Sequence, residues 1–568
     1  MHLVFAQVAP NVVAPRYSWA GLSPLIILAT GALLLIMFRS VISRLPEKIE
    51  RYATVALGPL TVAVAWLVAG LVGDDFLFPS IRANLGAFGA VVTGVLLLGV
   101  AALLVRVLRV GFDAMFTAGT ALVAFVAIVV LWNDYWRPSG PVLAIGDQFS
   151  FDGFSLVMSA VIVLAVVLCA LLFDEYLRRE GIAGPEMFVL MMLSAAGGLV
   201  MAGAGDLIVL FLALETLSIA IYVMTALHLS RNESLEAGLK YFILGAFSSA
   251  FLLYGIALVY GATGSMSLAE ISTYMSSVVF LEDAMLLAGL AMLLVGLGFK
   301  VAAVPFHGWT PDVYQGAPTP VVAFMASVVK AAAFAAIVRV FVVTFADYRA
   351  DWQPAIFGLA VLTLLVGSVL AIVQRDAKRM LAYSSISHAG FILVGVQAAT
   401  SRGTAAVVFY VAAYAFMVIG SFGVLTVVSG RGDRRTSLDD LNGLATHRPA
   451  LALALTVFLL AQAGVPLTSG FVAKFAIIGA AVDARSFWLA IVAMVAAVVS
   501  AFLYLRIVLS VYLGSATDAE PVEPVHPAAG LAIGVALALT VVFGVFPSPI
   551  ADLTGDAVPQ LLGAITRS

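Results

Sequence analysis

Along this chain, apolar stretches recur at about 20 residues apiece with only short polar breaks, the length that crosses a bilayer as a helix. Sixteen such stretches can be marked, at 19–40, 53–73, 87–108, 112–132, 152–173, 184–203, 206–228, 237–261, 283–314, 318–345, 354–374, 378–397, 404–428, 449–482, 485–513 and 527–547. They are continuous rather than alternating with a period of two, which predicts helices and not the strands of a barrel. Two of them, 283–314 and 449–482, are too long for one straight helix and carry breakers. Val304-Pro305 interrupts the first, and Gly464 with Pro466 the second. Proline removes a backbone donor and disturbs the turn before it. Non-helical backbone at membrane depth survives only against protein or a wet cavity.

The two breaks correspond. Spans 184–345 and 354–513 hold five helices each, with one broken helix in each set. Five is odd, so successive copies must point in opposite directions, the inverted-repeat design of many transporters. The expected organisation is therefore N-terminal helices over 1–150, five-helix units at 184–345 and 354–513, and a last helix with its tail over 514–568. The linkers leave no room for a soluble domain, and the apolar run before Pro10 is too short for a signal peptide.

Composition agrees. Of 568 residues, 63% are hydrophobic and 11% charged, far from the roughly 25% charge of a soluble domain. This excludes a soluble enzyme and a disordered chain, and a net charge of −3 argues against a nucleic-acid partner. Cys169 is the single cysteine, so no disulfide framework or multi-thiolate metal site is expected. The six histidines lack metal-site spacing, and no nucleotide-binding loop is visible. The basic residues favour one set of alternate loops, Arg178, Arg179, Arg231, Lys378 and Arg434 among them. That bias places both termini outside and the 429–447 loop in the cytoplasm.

A few charges fall where lipid should forbid them. Lys240, Lys300, Lys330, Arg339, Lys474 and Arg506 lie within spans, as does Glu215. Arg339 and Arg506 sit towards helix ends, where they can snorkel. A Lys or carboxylate near the bilayer centre costs at least about 2.5–3.5 kcal/mol and is a functional candidate by default. Lys240 follows Glu236 by one turn, so a local ion pair is the alternative reading. Lys300 and Lys474 each accompany a break. His388 stands mid-span beside Tyr383, Ser384, Ser385 and Ser387, able to accept and donate a proton in turn, and His307 stands beside the first break. For each, a satisfied structural role is the alternative. The expected fold is thus an all-α polytopic membrane protein of about 14–16 transmembrane helices.

Several runs carry a resemblance: "FKVAAVPFHGWTPDVYQGAPTPVVAFMASVVKAAAF", "FLALETLSIAIYVMTAL", "EAGLKYFILGAFSSAFLLYGIALVYGATG", "KRMLAYSSISHAGF" and "AGVPLTSGFVAKF". They resemble the antiporter-like subunit N family of respiratory complex I (NADH-quinone oxidoreductase) from about residue 150 to 547. The resemblance implies a proton-translocating membrane-arm subunit of that translocase, in a bacterial inner membrane. It implies Glu215 as the key glutamate with Lys240 as its partner lysine. Lys300 would be the lysine of the first broken helix, Lys330 the bridging lysine and Lys474 the lysine of the second broken helix. His388 would lie on the central axis. FMN, iron–sulfur clusters and quinone are expected on other subunits, with no cofactor in this chain. Its neighbours would be the antiporter-like subunit M and small subunits such as subunit K, with lipid around them. The family typically has fourteen helices, so the surplus before residue 150 is either an extension or includes a run that does not span. The alternatives are a subunit of a multisubunit Na⁺/H⁺ antiporter, or a scaffold subunit that carries no proton.

Overall fold

The computed structural model describes residues 18–42, 110–145, 148–182, 184–277, 283–513 and 524–563. The spans expected at 53–73 and 87–108 lie outside the described residues. Among the described residues, twelve helices are long and apolar enough to cross a membrane. They include α1 (Trp19–Ile42), α2 (Phe112–Val130), α3 (Gly153–Glu180), α4 (Glu186–Gly203), α5 (Leu207–Ala226) and α6 (Asn232–Thr263). After a short helix α7 (Leu268–Ser277), the first interrupted span runs as α8 (Ala284–Lys300) and α9 (Thr310–Gly316). Then come α10 (Thr319–Thr344), α11 (Arg349–Ile372), α12 (Ala377–Ala398) and α13 (Ser401–Val428). The second interrupted span is α14 (Pro449–Ala463) with α15 (Ser469–Asp483), followed by α16 (Phe487–Leu513), α17 (Pro527–Val545) and an end helix α18 (Ser548–Gly563). Sheet is confined, among the described residues, to a hairpin of β1 (Val142–Ile145) and β2 (Phe149–Phe151) before α3.

Local chemistry sets the helix starts. Asp152 opens α3 with a capping box to Ser155, satisfying donors that the first turn would leave orphaned. Asp206 accepts from Ile208 N and Val209 N at the start of α5, and Asp376 accepts from Arg379 N at the start of α12. Each of these two caps also joins an isolated antiparallel bridge, Asp206 with Ser267 and Asp376 with Ser437, at the same sequence separation. The flanking bonds match: Leu268 N to Gly205 O at 2.8 Å, and Leu438 N to Arg375 O at 2.9 Å.

Both interruptions fall at the breakers. α8 stops at Lys300, the Val304-Pro305 bond is cis, and helix resumes at Thr310. α14 stops at Ala463, where Gly464 takes the left-handed conformation (φ 92°) that glycine adopts without steric cost, and helix resumes at Ser469.

Three helices form the centre. The spanning windows of α10 and α12 are wholly buried within the chain and that of α13 nearly so, whereas α6, α11, α16 and α17 present most of theirs outward. The backbones of α11 and α12 approach so closely at Gly367 that a Cβ there would lie 2.6 Å from Ser387 N. That contact brings Ser368, Ser387 and Ser500 into one buried hydroxyl cluster at 2.8–3.4 Å. α10 is not uniform: π-helical turns occupy Met325–Val329, immediately before Lys330, and Val338–Thr344. Such turns are frequent at functional sites.

Two expectations about arginines change here. Arg339 does not snorkel. It is buried and bidentate to Asp152 at 2.9 and 2.8 Å, because α10 passes the capped start of α3. Arg506 donates to Ile372 O and Gln374 O at 2.5 and 2.9 Å, covering carbonyls that the end of α11 leaves free.

Candidate functional site

The first centre forms where α8 ends against α5. Lys300 is 3% exposed, and its Nζ donates to Ser218 Oγ at 2.8 Å and Tyr222 Oη at 3.1 Å. Ser218 and Tyr222 follow Glu215 on one face of α5, at helical spacing. Glu215 accepts from Ser249 Oγ on α6, and its charge acts on Lys300.

Lys240 is not part of this centre. Its Nζ meets Glu236 at 2.7 Å and Asp312 at 3.1 Å, and its side chain is 43% exposed. The expected Glu215–Lys240 pair is therefore replaced by Glu215 facing Lys300. The reason is helix geometry: roughly 13 Å of α6 separates Lys240 from Ser249, the residue level with Glu215. Arg379 on α12 shares Asp312 at 2.6 Å, so Lys240 belongs to an ion-pair chain at the end of the helices.

The second centre lies in the buried middle. Lys330 donates to Ser385 O and Ser385 Oγ, each at 2.5 Å, with its Nζ 5.1 Å from the centre of the Tyr414 ring. One turn further along α12, His388 is held on both nitrogens, Nδ1 with Tyr410 Oη at 2.7 Å and Nε2 with Tyr504 Oη at 3.1 Å. A neutral imidazole donates through one nitrogen and accepts through the other, so the two tyrosines fill opposite roles. Tyr504 Oη and Ser384 Oγ are hydrogen-bonded at 2.6 Å, and Ser384 donates to Gln462 Oε1 at 3.3 Å.

The third centre is the second break. Lys474 Nζ donates to Gln462 O at 2.8 Å and Ala463 O at 2.9 Å, with Phe391 beneath it at 4.8 Å. These carbonyls belong to the last turn of α14 and lose their helical partners where the helix stops. The negative end of the helix dipole adds to the attraction.

The structure thus sets Lys300 in the field of Glu215, and it places Lys330, His388 and Lys474 around one set of hydroxyls and Gln462. His307 stays apart, its Nδ1 buried without a hydrogen-bond partner. Sequence reading missed Ser218 and Tyr222, for which spacing from Glu215 was the available signal, and Ser249 on α6, for which it was not. It also missed Tyr410, Tyr504 and Gln462, which carried none. Among the described residues, no group of His, Cys, Asp or Glu is arranged to hold a metal ion.

A fourth cluster changes the reading of the loop charges. Asp433, in the 429–447 loop, is enclosed by Arg179 at 3.2 Å, Arg231 at 3.5 Å and Lys378 at 3.4 Å. Thr319 N and Oγ1 and Ser429 Oγ donate to it as well. Burial raises its pKa, but the field of Lys378 and Arg179, the Thr319 bond and Arg231 outweigh burial and hold it below the usual carboxylate range. Lys378 is fully buried and not a loop charge. Beside this cluster opens a polar cavity of about 1050 Å³, bordered by His228, Arg231, Glu236, Lys240, Asp312 and Asp433.

Residues 204–500 match the family described as "NADH:quinone oxidoreductase/Mrp antiporter, TM". The chain is 40% identical over 461 residues to NADH-quinone oxidoreductase subunit N of Trichlorobacter lovleyi, covering 81% of this chain and 94% of that one. Among solved structures, it is similar to a chain of respiratory complex I from Thermus thermophilus with bound aureothin. The TM-score is 0.66 at 34% identity, over 80% of this chain and 97% of that one. A chain of the Mrp complex from Dietzia sp. aligns with a TM-score of 0.70 at 23% identity, over 86% and 99% of the two chains, a likeness of fold alone. The chain therefore belongs to the NADH:quinone oxidoreductase/Mrp antiporter family of membrane subunits, on its NADH-quinone oxidoreductase subunit N branch.

Proposed function

We propose that this multi-pass subunit of the bacterial NADH-quinone oxidoreductase membrane arm translocates protons through Glu215, Lys300, Lys330, His388 and Lys474. Redox chemistry and its cofactors belong to other subunits of the complex, with antiporter-like subunit M and small subunits such as subunit K as neighbours. The observation that carries the reading is the set of polar side chains and backbone carbonyls gathered between Lys330 and Lys474. Ser385 receives Lys330; Ser384, next to it in sequence, bonds to Tyr504 and to the Gln462 side chain; Tyr504 bonds to His388; and the main-chain carbonyl of Gln462 receives Lys474. Hydroxyl and imidazole groups can pass a proton because each accepts one bond while donating another. A lysine buried without a carboxylate is poised to lose its proton, since desolvation disfavours its charged form.

In this reading, a charge change reaching Glu215 alters its hold on Lys300. That changes the field at Lys330, and a proton moves along the hydroxyl run to Lys474. Lys240 acts from outside the run, through Asp312. The five-helix units are inverted copies, a reading supported by the two matching cap-and-bridge pairs and by one interrupted helix in each.

The test is Lys330→Ala in the purified complex reconstituted into vesicles. Protons pumped per NADH oxidised should fall sharply while the complex stays assembled. Full coupled pumping by the assembled variant would sink the role.

A further inference from the structure

We propose that Lys378 is a proton-carrying residue at the cytoplasmic entrance of this route, held by Asp433 one carboxylate away from the polar cavity. The proposal deepens the relay reading and rests on it.

Three cations converge on Asp433, and they differ in chemistry. Arg179 and Arg231 are guanidinium groups, which do not deprotonate in proteins. Asp433 stays ionised, with three cations and the Thr319 and Ser429 donors around it. Lys378 is the member of the cluster able to give up its charge. Its side chain is enclosed, and the cluster gives its ammonium only a share of one carboxylate. Asp376, at the cap of α12, is the further carboxylate whose charge acts on it. Asp433 borders the cavity of about 1050 Å³ on one side and touches Lys378 on the other.

Inward from the cluster, Lys378 Nζ donates to Ala317 O at 2.6 Å. Ala317 closes α9 one turn after Tyr314, a buried residue whose hydroxyl faces Ser385. Ser385 is the group that receives Lys330. Lys378 and Ser385 lie on the same helix, about 10 Å apart along its axis. A structural cation would have no need of this path, and an arginine would pair with Asp433 as well or better.

The step moves one proton and no electrons. The Lys378 ammonium gives a proton to the Tyr314–Ser385 hydroxyls as Ser385 passes one to a neutral Lys330 amine. Asp433 then takes a proton from a hydronium ion in the cavity, releasing water, and passes it to the neutral Lys378 amine, so that it is ionised before and after the step.

The experiment compares Lys378→Arg, Lys378→His and Lys330→Ala in the complete complex in vesicles, reading pumping rate against pH. Lys378→Arg should assemble and lose pumping on the order of 100-fold, the low end of what a positioned proton-transfer group contributes. Lys378→His, which still titrates, should recover part of the rate with its optimum moved to lower pH. Wild-type pumping by Lys378→Arg overturns the proposal, and so does equal failure of arginine and histidine at every pH. If the arginine variant does not assemble, Lys378→Gln keeps a donor for Ala317 O without a titratable group. Wild-type pumping by that variant is equally fatal. Full pumping by Lys330→Ala would instead overturn the relay reading itself. Lost pumping there beside a fully active Lys378→Arg removes only the entrance.

Discussion

Two lysines that look alike in an apolar sequence have opposite surroundings. Lys240 is half in water and shares two carboxylates, whereas Lys300 is enclosed by Ser218, Tyr222 and the field of Glu215. Exposed ion pairs contribute about 0–1 kcal/mol, so Lys240→Ala should leave assembly intact and pumping only mildly reduced, while Lys300→Ala should lose it. Parallel pumping assays of the two variants check the order. At Glu215, Gln removes the charge and Asp keeps it, so Glu215→Gln should cut turnover more than Glu215→Asp. Equal wild-type turnover in both would leave Glu215 a structural role. His388→Gln keeps one donor and one acceptor for Tyr410 and Tyr504 but cannot carry a proton, so an assembled, poorly pumping complex is the expected outcome. The charged residues were legible in the sequence because hydrocarbon makes each one costly. The hydroxyls of Tyr410, Tyr504 and Ser218 were not, because such residues sit in any spanning helix without penalty.

At the scale of elements, the two interruptions were readable from Pro305, Gly464 and Pro466. The π-helical turns beside Lys330 were not, since "MASVVKAAAF" reads as ordinary helix. The break at Gly464 is tied to its lysine. A Cβ at Gly464 would stand 3.0 Å from Lys474 Cδ, at a φ of +92° that side chains rarely adopt. Gly464→Ala should therefore strain the turn by about 1–2 kcal/mol and push Lys474 off the carbonyls of α14. The readouts are a lowered melting temperature and reduced pumping in the assembled complex. Unchanged pumping would mean that Lys474 does not need that seat.

For the whole molecule, the sequence indicated membrane-spanning helices but not which of them lie at the centre. All of the spans are apolar, and lipid is as apolar as a neighbouring helix, so hydrophobicity does not rank them. Polar side chains do: Lys330 and His388 mark α10 and α12. The Asp433 cluster was hidden because its members sit in polar sequence near the loops, where charge is expected. It ties together α3, α10, α12, the start of α6 and the end of α13. Removing one partner of a buried pair costs about 3–5 kcal/mol, so Asp433→Ala should impair assembly by that order. Its pKa is lower folded than unfolded. The stability it contributes is present above the unfolded value of about 3.9 and is lost as pH falls through the folded one. Acid titration of the melting temperature should show that loss in the wild type and not in Asp433→Asn.

Lys300, Lys330 and Lys474 are anchored by unlike means, and this gives the row a polarity. Lys300 answers to the field of a carboxylate, which one proton on Glu215 would switch. Lys474 answers to two backbone carbonyls, whose dipoles no pH or partner can discharge. One terminal of the row is adjustable and the other is a fixed bias. In the proposed relay, a charge change at Glu215 resets the hold on Lys300, whereas at Lys474 the seat stays constant and only the lysine's own proton can change.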